Sequence, residues 1–272
     1  MDVVTAGGMV LPKLGLGTWR LAGEACTTSV LGALDRGYRH IDTAQTYGNE
    51  EAVGAALAAT RVPRGDIHVT TKVGSENLAP AAMRRAIEGS LRQLRTSYVD
   101  LYLIHWPAAG MDLAAALGEM VRLKEEGLAR NIGVSNFTVA LLRRAIEEIG
   151  APIVANQVEY HVLLSQAPLL AYMRAKGVAL TAYCPLAQGR LAEHPVLAEI
   201  AAKHKVSAAQ VALKWLFDQE GVAAIPKAGR AESQQANLDA LGVVLDGADL
   251  VAIAALPKNV RCVNPGFAPV WD

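Results

Sequence analysis

An excess of charge of either sign is missing from this chain: 26 lysines and arginines balance 26 aspartates and glutamates, and no dense basic run occurs. That balance excludes a protein whose affinity rests on a broad field toward nucleic acid or an anionic membrane, so any anionic ligand must be held by a local device. Cysteine is scarce. Cys26, Cys184 and Cys262 are odd in number and lack C-x-x-C spacing, which excludes a disulfide framework and a cysteine zinc site and fits a reducing compartment. No stretch reaches the roughly 18 uninterrupted apolar residues of a membrane span. Residues Met1 to Leu11 lack the basic segment and apolar core of a secretory leader, so a cytoplasmic protein is expected. The histidines His40, His68, His105, His161, His194 and His204 show neither H-x-H nor H-x-x-x-H spacing, so neither a bound metal nor a metal-dependent hydrolase is expected. Finally, Gly15-Leu16-Gly17-Thr18-Trp19-Arg20 breaks the G-x-G-x-x-G pattern at its third glycine, which argues against a doubly wound dinucleotide fold.

What is present is apolar side chain arranged in a rhythm. Hydrophobic residues make up 52% of 272 positions and charged ones 19%, enough to fill a barrel interior and the layer beneath surrounding helices. Short strand-like runs alternate with amphipathic helical ones: Leu14 to Gly17 with Thr28 to Arg36, His40 to Asp42 with Glu50 to Ala59, Ile67 to Lys72 with Ala81 to Leu94, and Val99 to Ile104 with Leu113 to Glu126. The rhythm continues through Asn131 to Val134 with Val139 to Ile149, Ile153 to Val158 with Ala167 to Lys176, Val178 to Tyr183 with Ser207 to Gln219, and Val222 to Ile225 with Ser233 to Leu241. Pro80 and Pro195 suit first helical turns, and Gly37, Gly127, Gly150 and Gly177 follow helix ends. Eight strand-helix units with no dividing linker predict a single α/β domain over 1–272, a (β/α)8 TIM barrel. An N-terminal hairpin around Ala6-Gly7-Gly8 and two extra helices, Val196 to His204 and Ala248 to Ala255, decorate it.

Four polar residues, Asp42, Tyr47, Lys72 and His105, fall at or just past the ends of three of these strands. In such a barrel all strand C-termini open onto one face, where distant residues converge. Hydride arriving at a carbonyl carbon leaves charge on oxygen, so the site needs a proton donor, and Tyr47 is the candidate. A nearby Lys72 ammonium is expected to lower the phenol's pKa, Asp42 to keep that lysine charged, and His105 to orient the carbonyl oxygen. Each residue alone has a plainer reading: Asp42 as a turn cap, Lys72 as a solvated strand end, His105 as a core histidine. Their joint position favours the chemistry.

The chain resembles the aldo-keto reductase family. The resemblance is carried by Gly37-Tyr38-Arg39-His40-Ile41-Asp42-Thr43-Ala44 with Tyr47-Gly48-Asn49-Glu50, by Thr70-Thr71-Lys72, and by Asp100 to Pro107 around His105. Gly133-Val134-Ser135-Asn136-Phe137, Asn156-Gln157-Val158-Glu159-Tyr160 and Ile225-Pro226-Lys227 extend it. It implies NAD(P)H-dependent reduction of aldehydes or ketones, in a monomer whose only partner is a small carbonyl substrate. A subunit that senses the nucleotide without turnover is the alternative. The resemblance places the nicotinamide carboxamide against Ser135, Asn136 and Gln157, although Ser135-Asn136 could instead cap the next helix. Tyr183 would stack on the ring, and Cys184, Pro185 and Leu186 open a pyrophosphate loop. Lys227, Ala228, Gly229 and Arg230 would face an adenosine 2′-phosphate, with Asn237 at the adenine and Gly17, Thr18 and Trp19 completing the cofactor set. NADPH is expected, with NADH possible. Substrate would meet Trp19, Tyr47, His105 and Trp106, and Trp271 lies in a tail able to fold across the mouth.

Overall fold

The computed structural model describes residues 2–272 of the chain. Two short strands, β1 (Val3–Ala6) and β2 (Met9–Pro12), form an antiparallel hairpin, turned by Gly7 and Gly8 at φ 53° and 84°. Eight parallel strands follow: β3 (Leu16–Gly17), β4 (His40–Asp42), β5 (His68–Val73), β6 (Leu101–Ile104), β7 (Ile132–Ser135), β8 (Ile153–Glu159), β9 (Ala179–Tyr183) and β10 (Val222–Ala224). Each pairs with its sequence neighbour, so the sheet order is the chain order. The ends also meet. Gly15 donates its N–H to the Ala224 carbonyl, Ala224 to that of Lys13, and Gly17 to that of Pro226, which closes the sheet into a barrel. A Cβ on Gly17 would stand 2.6 Å from the Ile225 carbonyl oxygen, so glycine is what permits this closure.

Around the strands run α1 (Gly23–Asp35), α2 (Glu50–Ala59), α3 (Pro80–Leu94), α4 (Leu113–Glu125), α5 (Val139–Arg143), α6 (Ala167–Ala175), α7 (Pro195–His204), α8 (Ala208–Phe217), α9 (Ala231–Asp239) and α10 (Gly247–Ala254). All the residues of the barrel strands are buried except Tyr183, because side chains alternate between the interior and the helix layer and both are covered. The hairpin plugs the N-terminal end of the barrel: Val4, Ala6, Met9 and Leu11 pack on Leu101, Leu103, Val154, Ala155, Ala179 and Ala223. The two helices beyond the eightfold unit, α7 and α10, build a second small core with α8 through Leu197, Ile200, Val211, Ala212 and Ile253.

Two expectations shift locally. The first barrel strand is only Leu16–Gly17, because Leu14 turns to bridge Ala224 on the other side of the closure. The helix expected over 139–149 is α-helical only to Arg143 and then widens into a π-turn over Arg144–Glu148, where Ile149 donates to the Arg144 carbonyl.

Candidate active site

At the C-terminal mouth, β4 ends with Asp42 and β5 carries Lys72 one residue before its end. Both side chains point into the barrel and are essentially without solvent, at 1% and 0% exposure. Lys72 Nζ donates to Asp42 Oδ1 at 2.6 Å, to the Thr43 carbonyl at 2.7 Å and to the Tyr47 hydroxyl at 3.3 Å. Three donors meet three acceptors. Gln157, on β8, donates its side-chain N–H to Asp42 Oδ2 at 2.7 Å, so the carboxylate is bonded at both oxygens. Burial pulls the Lys72 ammonium toward losing its proton, but Asp42 and Tyr47 outweigh that and hold it above its ordinary value. Burial lifts the Asp42 carboxyl, with Lys72 and Gln157 pulling against it.

Tyr47 ends a single 3-10 turn, Gln45–Tyr47, which Gly48 terminates at φ 65°. Gln45 ties that turn to the end of β5 by accepting the Gly74 N–H at 3.1 Å, and Asn49 pins it to the first loop by donating to the Thr18 and Leu21 carbonyls. The expected depression of the phenol's pKa is not the net result. Burial raises it by more than Lys72 lowers it, so the resting side chain keeps its proton. His105 directly follows β6, its ring edge-on to Tyr47 at 5.6 Å. Burial, reinforced by the Lys72 charge, pushes its pKa down to about 3, so the ring is neutral. Thr46 Oγ1 lies 3.1 Å from Nδ1 of that ring, a contact the sequence did not suggest.

Ser135, Asn136, Gln157 and Tyr183 form one network along the ends of β7, β8 and β9. Ser135 Oγ donates to the Gln157 carbonyl at 2.8 Å, Asn136 Nδ2 to the His105 carbonyl at 3.0 Å, and the Tyr183 hydroxyl to Asn136 Oδ1 at 2.8 Å. The helix that follows is capped by Thr138, whose Oγ1 accepts the Leu141 N–H, and not by Ser135 or Asn136. Asn136 sits at φ 63°, a left-handed conformation that turns its amide inward. Gln157 has spent one amide hydrogen on Asp42; its carbonyl oxygen and second hydrogen match the donor and acceptor of a carboxamide.

Beyond Tyr183, Cys184, Ala187 and Gln188 all have positive φ, at 47°, 47° and 56°. The loop closes on itself, with the Ala187 N–H bonded to the Cys184 carbonyl, Gly189 to Leu186 and Arg190 to Ala187, so few of its N–H groups face outward for the expected pyrophosphate. Pro185 is buried and Leu186 half-buried beneath. Lys227, Gly229 and Arg230 are exposed just before the N-terminus of α9, a position favourable to phosphate. Ala228 is different: its side chain is 2% exposed, and its carbonyl accepts from Ser29 Oγ and Gln234 Nε2, so only its backbone borders a ligand. Asn237 is 6% exposed and lies beside the Tyr38 hydroxyl. Thr18 is buried and donates to the Asp42 carbonyl, bracing the site from behind.

Aromatic rings wall the mouth. Trp19, half exposed, lies 4.8 Å from Tyr47; Trp106 lies 5.5 Å from Phe267 and 6.1 Å from Trp271. The tail does cross the mouth, and Phe267 joins it without having been singled out in the sequence. What pins it is Glu159, fully buried at the end of β8: its oxygens accept the Cys262 N–H at 2.6 Å, the Val263 N–H at 2.8 Å and a bond from His161 Nε2 at 3.0 Å. The grouping of Glu159, His161 and Cys262 has the spacing of metal ligands. Yet His161 Nδ1 accepts the Leu163 N–H at 3.3 Å, so Nε2 carries the hydrogen and the cluster is complete as a latch. A cavity of about 400 Å³ lies at the opposite end of the barrel between the hairpin and the starts of β5 to β7, away from this chemistry.

Residues 13–258 match the model of the aldo/keto reductase family. The chain is 43% identical over 268 residues to the protein named methylglyoxal reductase DkgB of Escherichia coli O157:H7, covering 97% of this chain and all of that one. It is 39% identical over 255 residues to an aldo-keto reductase of Mycobacterium avium (strain 104), covering 93% and 89% of the two chains. A crystal structure titled as a putative 2,5-diketo-D-gluconic acid reductase B superposes with a TM-score of 0.97 at 39% identity, covering 100% of this chain and 98% of the other. The chain thus belongs to the aldo/keto reductase family and is an oxidoreductase that reduces carbonyl groups with a nicotinamide cofactor.

Proposed function

We propose that Tyr47 is the proton donor of this reductase, that Lys72 and Asp42 set its acidity, and that His105 orients the substrate oxygen. The observation that carries this reading is the unbroken contact from Asp42 through Lys72 to the Tyr47 hydroxyl, at 2.6 and 3.3 Å. A buried phenol that keeps its proton at rest can give it to the oxygen on which charge develops. The fixed ammonium beside it stabilises the phenolate left behind. A neutral His105 ring offers a hydrogen bond to the same oxygen without competing as an acid.

The donor set fits a nicotinamide nucleotide: amide partners at Ser135, Asn136 and Gln157, a phenol ring at Tyr183 for stacking, and the exposed Lys227 and Arg230 for its phosphates. When bound, the nicotinamide supplies the hydride that no side chain can. Lys227 and Arg230 beside the α9 terminus support a preference for NADPH over NADH, since both are free to meet a 2′-phosphate. The half-open aromatic mouth of Trp19, Trp106, Phe267 and Trp271 supports small aldehydes and ketones with an apolar body.

The test is Tyr47→Phe, followed by NADPH absorbance with a panel of aldehydes and by NADPH binding in a fluorescence titration. Binding should survive while turnover falls about 10²- to 10⁴-fold. Near-unchanged turnover would remove Tyr47 from the mechanism.

A further inference from the structure

The neutral His105 ring has one hydrogen to place on one of two nitrogens. Which nitrogen carries it decides what the ring can do at the mouth. With the hydrogen on Nε2 the ring donates to an incoming carbonyl oxygen. With the hydrogen on Nδ1, Nε2 presents a lone pair, which repels that oxygen and repels it more strongly as charge develops there. Nδ1 lies 3.1 Å from Thr46 Oγ1. Nε2 has no partner among the described residues and is not sealed from water, so it is the nitrogen left for a ligand. In a histidine the hydrogen bond made by one nitrogen sets the state of the other. A hydroxyl can donate or accept, so the contact alone allows both tautomers.

Thr46 is built to hold one of them. It occupies the middle of the 3-10 turn Gln45–Tyr47, so the turn that presents the Tyr47 phenol presents this hydroxyl beside it. Gln45 Oε1 anchors the turn by accepting both the Gly74 N–H at 3.1 Å and Asn77 Nδ2 at 3.3 Å. A β-branched side chain is stiff at χ1, which limits the directions the hydroxyl can take and the entropy lost in fixing it. His105 is held as firmly: its N–H bonds the Val73 carbonyl at 3.1 Å, and its own carbonyl accepts Asn136 Nδ2 at 3.0 Å. Thr46 is exposed, so water is at hand for its oxygen lone pairs while its hydrogen goes to the ring. We infer that Thr46 is a positioning residue that donates its hydroxyl hydrogen to Nδ1 of His105, holds the ring in the tautomer protonated at Nε2, and so makes His105 a donor to the substrate's carbonyl oxygen. The inference rests on the reductase reading above for the place of the carbonyl, but the tautomer itself is read without any turnover.

The experiment is long-range proton–nitrogen correlation NMR on protein with isotope-labelled histidine, beside aldehyde reduction, for the wild type, Thr46→Val and Thr46→Ser. Valine keeps the shape of threonine without the hydroxyl, and serine keeps the hydroxyl without the methyl group. The His105 ring is assigned by the signals missing from His105→Asn. At neutral pH the wild-type ring should show Nδ1 as the bare nitrogen and Nε2 as the protonated one. In Thr46→Val the two nitrogen signals should draw together as the tautomers mix. There kcat/KM should fall about 3- to 10-fold, the worth of one neutral hydrogen bond, with NADPH affinity within about twofold of the wild type. Thr46→Ser should restore the spectrum and most of the turnover. A wild-type ring with its hydrogen on Nδ1 would overturn the inference and leave the role of Tyr47, which Tyr47→Phe tests, untouched. So would a Thr46→Val ring that keeps the wild-type spectrum, since any loss of turnover would then come from the shape of the mouth. Mixed tautomers with unchanged turnover would strike the orienting role given to His105, and the inference with it.

Discussion

Lys72 and Asp42 form an ion pair at 2.6 Å with both side chains at or near zero exposure. A pair so placed contributes little net stability, since desolvating two charges offsets most of their attraction; removing one partner, however, strands the other. On the role proposed for Tyr47, the site depends on both members.

Lys72→Met should cost about 3–5 kcal/mol, a fall in Tm of the order of 10 °C, because the Asp42 carboxylate is left buried without its cation. The double variant Asp42→Asn with Lys72→Met should recover most of that loss while remaining inactive. Calorimetry beside a turnover assay checks both parts. A double variant as unstable as the single one would show that the damage lies in packing and not in charge.

His68 opens β5 in the hairpin end of the barrel, and burial holds its pKa down at about 4 against 6.5 for the free side chain. The unfolded chain thus binds a proton that the folded one refuses. The stability contributed by keeping this ring neutral is complete above about pH 6.5 and is lost as pH falls toward about 4, on the order of 3 kcal/mol for this one group. Urea midpoints measured from pH 7 to 4.5 should fall steadily in the wild type and less steeply in His68→Gln. Parallel slopes in the two proteins would rule out this histidine as a source of acid sensitivity.

Lys227 is exposed in front of α9 and has no carboxylate partner among the described residues. Lys227→Ala should weaken NADPH by about tenfold and leave NADH within about twofold. Titration with the two nucleotides decides it, and equal losses would show that this lysine does not read the 2′-phosphate.

The sequence carried the architecture because the barrel is repetitive. Strand runs, Pro80 and Pro195 at helix starts and the positive-φ glycines Gly37, Gly127, Gly150 and Gly177 after helix ends are local signals, readable within a few residues. The same holds for the tetrad, since a strand end in this fold already names a face. Boundaries were less legible where closure competes with local preference, as at Leu14.

Charge balance, the scarcity of cysteine and the strand-end positions of Asp42, Tyr47, Lys72 and His105 were thus settled by the order of amino acids, through short-range propensity and periodicity. The rest needed the folded chain. That burial outweighs Lys72 at the Tyr47 hydroxyl, that Thr138 and not Ser135 caps α5, that Glu159 latches the tail, and that Thr46 meets Nδ1 of His105 all depend on which groups lose water and which neighbours replace it. Desolvation and long-range pairing are properties of three-dimensional packing, and no local pattern in the chain encodes them.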